Sequence, residues 1–264
     1  MDTEAITILL KDVAAQVITP RFRSLQAGEV HEKQPGDLVT IADHEAEDLI
    51  TAALQAAYPS ALVIGEESVA QKPALLDAYA HAEHAFIIDP IDGTKNFVNG
   101  SPDHAVMAAE LRHGLVVRSW IWQPQHEAAY VAERGAGAFR NGEPLTTTPP
   151  SDAPATWRGV TSRRGWVGRA LPGLSSLELS WVSCGIDYPR LIEGAADYLV
   201  YYRTLPWDHA PGQLLLTEAG GELRTYAGEP YDPRHPHVGG LVAAADRATY
   251  DGVVAGWSAT RTWR

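Results

Sequence analysis

Two short apolar runs, Leu62-Val63-Ile64 and Phe86-Ile87-Ile88, each end in carboxylates: Gly65-Glu66-Glu67 after the first and Asp89 after the second. Runs of this length and composition read as buried strands. Parallel pairing would bring their acids together at one end of a sheet. The segment Asp89-Pro90-Ile91-Asp92-Gly93-Thr94 sharpens the constraint. Two like charges directly after a buried strand are costly unless cations share the site. Pro90 restricts one dihedral between them, and the Ile91 carbonyl is a hard oxygen donor of the kind Mg²⁺ accepts. Gly93-Thr94 reads as a helix start whose free amides suit phosphate oxygens. An Asx-rich turn without chemistry is the plainer reading, which the combination disfavours.

Around this centre the chain reads as mixed α and β. Ile6, Leu9, Leu10, Val13 and Val17 recur at helical spacing, predicting a helix from Thr3 to Ile18, and a polar loop with Lys33, Pro35 and Gly36 follows. Thr40 with Asp43 resembles a capping box opening a second helix to Ala57. Strands are expected at Val106 to Leu111, Leu115 to Trp122, Ala128 to Glu133 and Gly137 to Arg140, their spacing implying an antiparallel meander. The Pro/Thr-rich stretch Leu145 to Pro154 is the candidate boundary between an N-terminal α+β domain, 1–150, and a C-terminal α/β domain, 151–264. Beyond it, helices at Tyr188 to Ala196, Asp208 to Ala219 and Asp246 to Trp257 alternate with strands at Ser180 to Cys184, Tyr198 to Tyr202 and Leu241 to Ala244.

Composition narrows the partners. The 264 residues carry 33 acidic and 21 basic side chains, a net charge of -12, which disfavours nucleic-acid and anionic-membrane binding. With Cys184 alone there is neither an intrachain disulfide nor a Cys-rich zinc site, and Cys184 reads as a small buried apolar residue. No signal peptide or membrane span is visible, so a cytoplasmic enzyme is expected. His81/His84 and His235/His237 match no zinc pattern, and Gly135-Ala136-Gly137-Ala138 reads as a hairpin turn. Arg163-Arg164-Gly165 reads as solvated surface, with contact to substrate or a partner subunit as the other reading, and the eight tryptophans as packing residues.

Gly65-Glu66-Glu67, the segment Asp89 to Phe97 and Trp207-Asp208 through Gly220-Gly221 resemble, in order and separation, the signature segments of the inositol monophosphatase family. Asp37 to Asp43 resembles the family's segment ahead of its second helix, so the likeness runs from about Lys33 to Gly221. The resemblance implies a layered αβαβα sandwich, a Mg²⁺-dependent, lithium-sensitive phosphomonoesterase and a homodimer. It implies two or three Mg²⁺ ions: Glu66, Asp89 and the Ile91 carbonyl on one, and Asp89, Asp92 and Asp208 on a second. Thr94 and Glu66, with Asp43 behind the threonine, would activate water, and the Gly93 and Thr94 amides would hold the phosphate. Lys33 matches a family lysine near the metal-site loop.

Asp92 and Asp208 would also face the substrate, a small phosphorylated polyol or sugar. Where inositol phosphatases of the family carry a glutamate that grips ring hydroxyls, this chain has Tyr201, and Asp187 would replace that grip from the other side. A 3'(2'),5'-bisphosphate nucleotide and histidinol phosphate are the alternative substrates. A catalytically silent scaffold with the same fold is disfavoured by the intact acids.

Overall fold

The computed structural model describes residues 1–235 and 239–259, the side chains of Ser258 and Ala259 excepted. The first half builds α1 (Thr3–Val13), the hairpin β1 (Val30–Gln34) and β2 (Asp37–Thr40), α2 (Ile41–Ala57), β3 (Leu62–Gly65), α3 (Glu66–Gln71), α4 (Leu75–His81), β4 (His84–Asp92) and α5 (Thr94–Val98). A meander follows: β5 (Ala105–Arg112), β6 (Leu115–Gln123), β7 (Ala128–Glu133), β8 (Gly137–Arg140) and β9 (Glu143–Leu145). The remainder is β10 (Gly159–Thr161), β11 (Glu178–Leu179), α6 (Cys184–Ile192), β12 (Tyr198–Tyr201), α7 (Pro206–Glu218), β13 (Glu222–Thr225), β14 (Leu241–Ala244) and α8 (Arg247–Ala259).

These elements form five layers. The seven-stranded sheet runs in order from β3 to β9, parallel between β3 and β4 and antiparallel thereafter. Strand alternation sends Phe86, Ile88, Val106, Ala108 and Trp120 against α1 and α2, and Ile87, Met107, Ala109 and Ile121 against α6 and α7. The second sheet, in order β11-β10-β12-β14-β13, covers α6 and α7 from the other side through Leu199, Leu241 and Ala243. Its outer face, through Val200, Val242 and Ala244, packs Tyr250 and Val253 of α8. The result is the expected αβαβα sandwich. The Leu145 to Pro154 stretch passes between the two sheets, and the core of α6 and α7 is shared by both.

Several local expectations are corrected. The first helix reaches Ile18 but widens to a π-helical turn over Ala14–Ile18. The polar loop around Lys33 is the β1/β2 hairpin, turned at Pro35-Gly36, and α3 and α4 were not anticipated. Ser180 to Cys184 is not a strand. Its backbone serves side chains instead of a ladder: Trp181 N donates to Asp187 at 2.9 Å, Trp181 O accepts from Asn96 at 2.8 Å, and Val182 sits at φ 58°. The following helix begins at Cys184, four residues earlier than the apolar pattern suggested. Pro189 lies inside it and cannot donate to the Gly185 carbonyl; Gln123 of β6 donates there instead, at 2.7 Å. His237 lies outside the described residues.

His104 anchors α5. Its fully buried ring lies between Phe22 and Phe97, with centroids 5.2 and 5.1 Å away, and Nε2 has no partner. Burial lowers its pKa to about 4. The unfolded chain takes up this proton near pH 6.5, so the stability from neutral His104 is complete above that value and is lost as pH falls towards 4. Urea unfolding at pH 7 and pH 4.5 should show wild type losing on the order of 2 kcal/mol more than His104→Phe; equal losses would refute this.

Candidate active site

A β-bulge brings the two central acids onto one face. Asp89 and Asp92 are three residues apart, so a regular strand would point them to opposite faces. On β5 their partners are Met107 and Ala105, two residues apart and on one face. The extra β4 residue between them turns both acids towards α6 and α7, and Pro90, which lacks a ladder donor, falls inside the irregularity. The parallel pairing of Gly65 with Ile88 sets Glu66 level with Asp89. From the opposite layer, the first turn of α7 supplies Asp208.

Glu66, Asp89 and Asp208 present carboxylate oxygens that all lie within 4.8 Å of one another. They open on a cavity of about 670 Å³, also bordered by Lys33, Ile91, Asp92, Gly93, Thr94 and Asp187. Asp89 Oδ1 is buried with no hydrogen-bond partner. Asp92, on the same cavity, has partners of its own: its Oδ2 accepts from the Ser183 hydroxyl and from Gly185 N at 2.8 Å. Lys33 Nζ bridges Glu66 at 2.6 Å and Glu67 at 2.9 Å.

The electrostatics describe a site short of positive charge. Burial, then repulsion from Glu66, Asp92, Asp208 and Asp43, pushes the Asp89 carboxyl well above its ordinary range. Asp208 is raised by burial and by Glu66 and Asp92, against relief from Arg203 and Lys33. Glu66 is raised by burial despite Lys33, and Asp92 by burial despite its donors. Burial opposes the Lys33 cation, but Glu66 and Glu67 overcome this and raise its pKa. The donors are hard oxygens, crowded, desolvated and partly unpartnered, which fits a divalent cation such as Mg²⁺. Cys184, Asp208 and His209 form a second close group. There His209 spends Nδ1 on the Tyr188 hydroxyl and Nε2 on the Arg203 carbonyl, so its ring is already occupied.

Thr94 donates within reach of two acceptors, the Ile91 carbonyl at 2.9 Å and Asp43 Oδ1 at 3.2 Å. Asp43 in turn accepts from Thr40 N at 2.8 Å and Thr40 Oγ1 at 2.6 Å, the expected capping box, and burial raises its pKa to about 7. Gly93 precedes Thr94 at φ 82°, and a Cβ there would lie 2.9 Å from Ser183 Cβ. Both the left-handed backbone and the close approach require glycine.

Asp187 and Tyr201 lie deeper. Asp187 is fully buried and Tyr201 is 2% exposed; they face each other at 3.5 Å between the Tyr201 hydroxyl and Asp187 Oδ2. Burial raises the Asp187 pKa to about 8. Cys184 packs against the core as a partly buried residue and also borders the cavity; its thiol is pushed well up by burial and the surrounding acids. Sequence reasoning missed Glu47, whose buried carboxylate accepts from Glu67 N at 2.8 Å and Ser68 N at 2.7 Å and so fixes the start of α3 beside Glu66. It also missed Ser183 and Arg203. No spacing rule links these residues to the acids they touch.

The model of the inositol monophosphatase family matches residues 2–259. The inositol-1-monophosphatase of Mesorhizobium japonicum is 34% identical over 217 residues, 79% of each chain. The Nus factor SuhB of Pseudomonas aeruginosa is 29% identical over 238 residues, 81% of this chain and 82% of that protein. A staphylococcal inositol monophosphatase-1, solved as a LiCl-soaked inhibitory complex, shares the fold with a TM-score of 0.84 at 23% identity, covering 99% of this chain and 97% of its own. With the family model spanning nearly the whole chain and the acids gathered in one cavity, this protein belongs to the inositol monophosphatase family, phosphatases that hydrolyse phosphate monoesters.

Proposed function

We propose that the chain is a Mg²⁺-dependent phosphomonoesterase acting on a small polyol or sugar phosphate. The observation that carries this reading is the triad of Glu66, Asp89 and Asp208, with oxygens mutually within 4.8 Å and Asp89 Oδ1 unpartnered. Glu66, Asp89 and the Ile91 carbonyl would hold one ion, and Asp89, Asp92 and Asp208 a second, with room in the reading for a third. Oxygen-only donors favour Mg²⁺ over zinc. When bound, the ions neutralise phosphoryl charge and lower the pKa of water.

The chain's own residues do the rest. The Thr94 hydroxyl, donating towards Asp43 or the Ile91 carbonyl, keeps lone pairs free to accept from the attacking water. Glu66 borders the same space and receives a proton from that water. The Gly93 and Thr94 amides, at the start of α5, donate to the phosphate. Asp92 and Asp208 flank the substrate, while Asp187 and Tyr201 form the wall behind it.

The same reading, taken from the family resemblance, makes the enzyme a cytoplasmic homodimer that Li⁺ inhibits, with a small phosphorylated metabolite as partner and neither nucleic acid nor membrane. Among the described residues no helix is long and apolar enough to cross a membrane. Phosphate release from a panel of monoesters should require Mg²⁺, stop in excess chelator and fall in millimolar Li⁺. Equal turnover in chelator would overturn the metal reading, and indifference to Li⁺ the lithium reading alone.

A further inference from the structure

A second cavity of about 350 Å³ adjoins the first, sharing Ser162, Cys184, Arg203 and Asp208 with it. Arg163 and Arg203 supply its positive charge, and Tyr201, Tyr202 and His209 complete its walls. Arg163 is not the solvated surface cation its sequence suggested. Its guanidinium lies 3.9 Å from the Tyr202 ring centroid and 4.7 Å from that of Trp166, and its buried Nη1 has no hydrogen-bond partner. Among the described residues neither Arg163 nor Arg203 makes a salt bridge. In a chain with a net charge of -12, two arginines outside any salt bridge beside the acidic centre, Arg203 near enough to relieve Asp208, are an uneven use of positive charge.

The wall chemistry discriminates among leaving groups. A neutral vicinal diol is gripped best by a free acceptor, yet guanidinium has donors only. The nearby acceptors are committed elsewhere: Asp208 belongs to the acidic centre, and Asp187 is fully buried, already receives Trp181 N and faces the Tyr201 hydroxyl. A leaving group with an ammonium would be repelled by both arginines. A carboxylate or a second phosphate matches their forked donors, and the stacking on Tyr202 and Trp166 holds the Arg163 plane in place for such a contact.

We infer that the substrate carries a second anionic group, a carboxylate or a further phosphate, which Arg163 and Arg203 receive in this side cavity while the scissile phosphate occupies the acidic centre. The inference rests on the phosphatase reading and makes the two arginines specificity determinants of that reaction.

The test compares kcat/KM for phosphate release from three esters of one chain length: a hexitol monophosphate, the matching hexonate phosphate and the hexitol bisphosphate. Wild type should prefer at least one doubly charged ester by about tenfold or more, the scale of one charge-assisted hydrogen bond. The hexonate and bisphosphate arms tell carboxylate from phosphate. In Arg163→Gln and Arg203→Gln, with folding checked by circular dichroism, the preference should fall towards one. Turnover with no preference, or a preference that both variants retain, overturns the inference alone. No turnover of any ester with Mg²⁺ removes the phosphatase reading and this inference with it.

Discussion

Asp89→Asn should reduce Mg²⁺-dependent phosphate release by about a thousandfold or more while raising the melting temperature of the metal-free protein. The first effect follows from charge. In the proposed site Asp89 would be a ligand of both cations, and a neutral amide there would remove several kcal/mol of metal and transition-state stabilisation at about 1.4 kcal/mol per decade. The second effect follows from the same burial. Asp89 is 1% exposed, repelled by Glu66, Asp92 and Asp208, and has an unpartnered Oδ1. Removing a buried like charge of this kind should recover on the order of 1–3 kcal/mol. In calorimetry, Mg²⁺ should therefore raise the melting temperature of wild type and leave that of the variant nearly unchanged. A variant less stable than wild type in chelator would show that Asp89 is held by structure and not for a cation.

Gly185→Ala should cost about 1–3 kcal/mol of stability and about 10- to 100-fold in Mg²⁺ affinity or activity. A Cβ at this position would lie 2.5 Å from Ala105 Cβ and 2.9 Å from Met107 Sδ, on the strand that pairs with β4. Glycine lets α6 descend onto the sheet until Gly185 N reaches Asp92 Oδ2 at 2.8 Å. A methyl group lifts the helix and loosens the donor that orients Asp92. The two losses should appear together, in denaturant unfolding and in Mg²⁺ titration of activity. A variant destabilised to this degree with unaltered Mg²⁺ dependence would remove Asp92 orientation from the role assigned to α6.

The residues of the acidic centre were legible because their chemistry is local. An apolar run followed by Asp-Pro-Ile-Asp-Gly-Thr states its own cost, since two carboxylates behind a buried strand need compensation. The capping of α2 by Thr40 and Asp43 was legible for the same reason, its partners being three residues apart. The start of α6 was less so. Apolar spacing favoured Tyr188, whereas the helix begins at Cys184, where Gln123 from another strand compensates for Pro189. Ser180 to Cys184 looks like a strand but has its backbone claimed by Asn96 and Asp187. Such competition between distant side chains and local pattern leaves no periodic trace.

Taken alone, the sequence determined the mixed α and β character of the chain and, through motifs that resemble the inositol monophosphatase family, implied the layered fold and the acids of the site, because hydrophobic period and motif spacing are properties of neighbouring residues. Only the tertiary structure decided how those acids meet. The bulge that turns Asp89 and Asp92 to one face depends on pairing with β5, and the approach of Asp208 depends on α7 crossing from the other layer. The same is true of Arg163, which reads as a surface cation until the fold sets it against Tyr202 and Trp166 beside the acidic centre. Charge and polarity are written residue by residue, but burial and proximity, which decide what they do, arise only when segments far apart in the chain pack together.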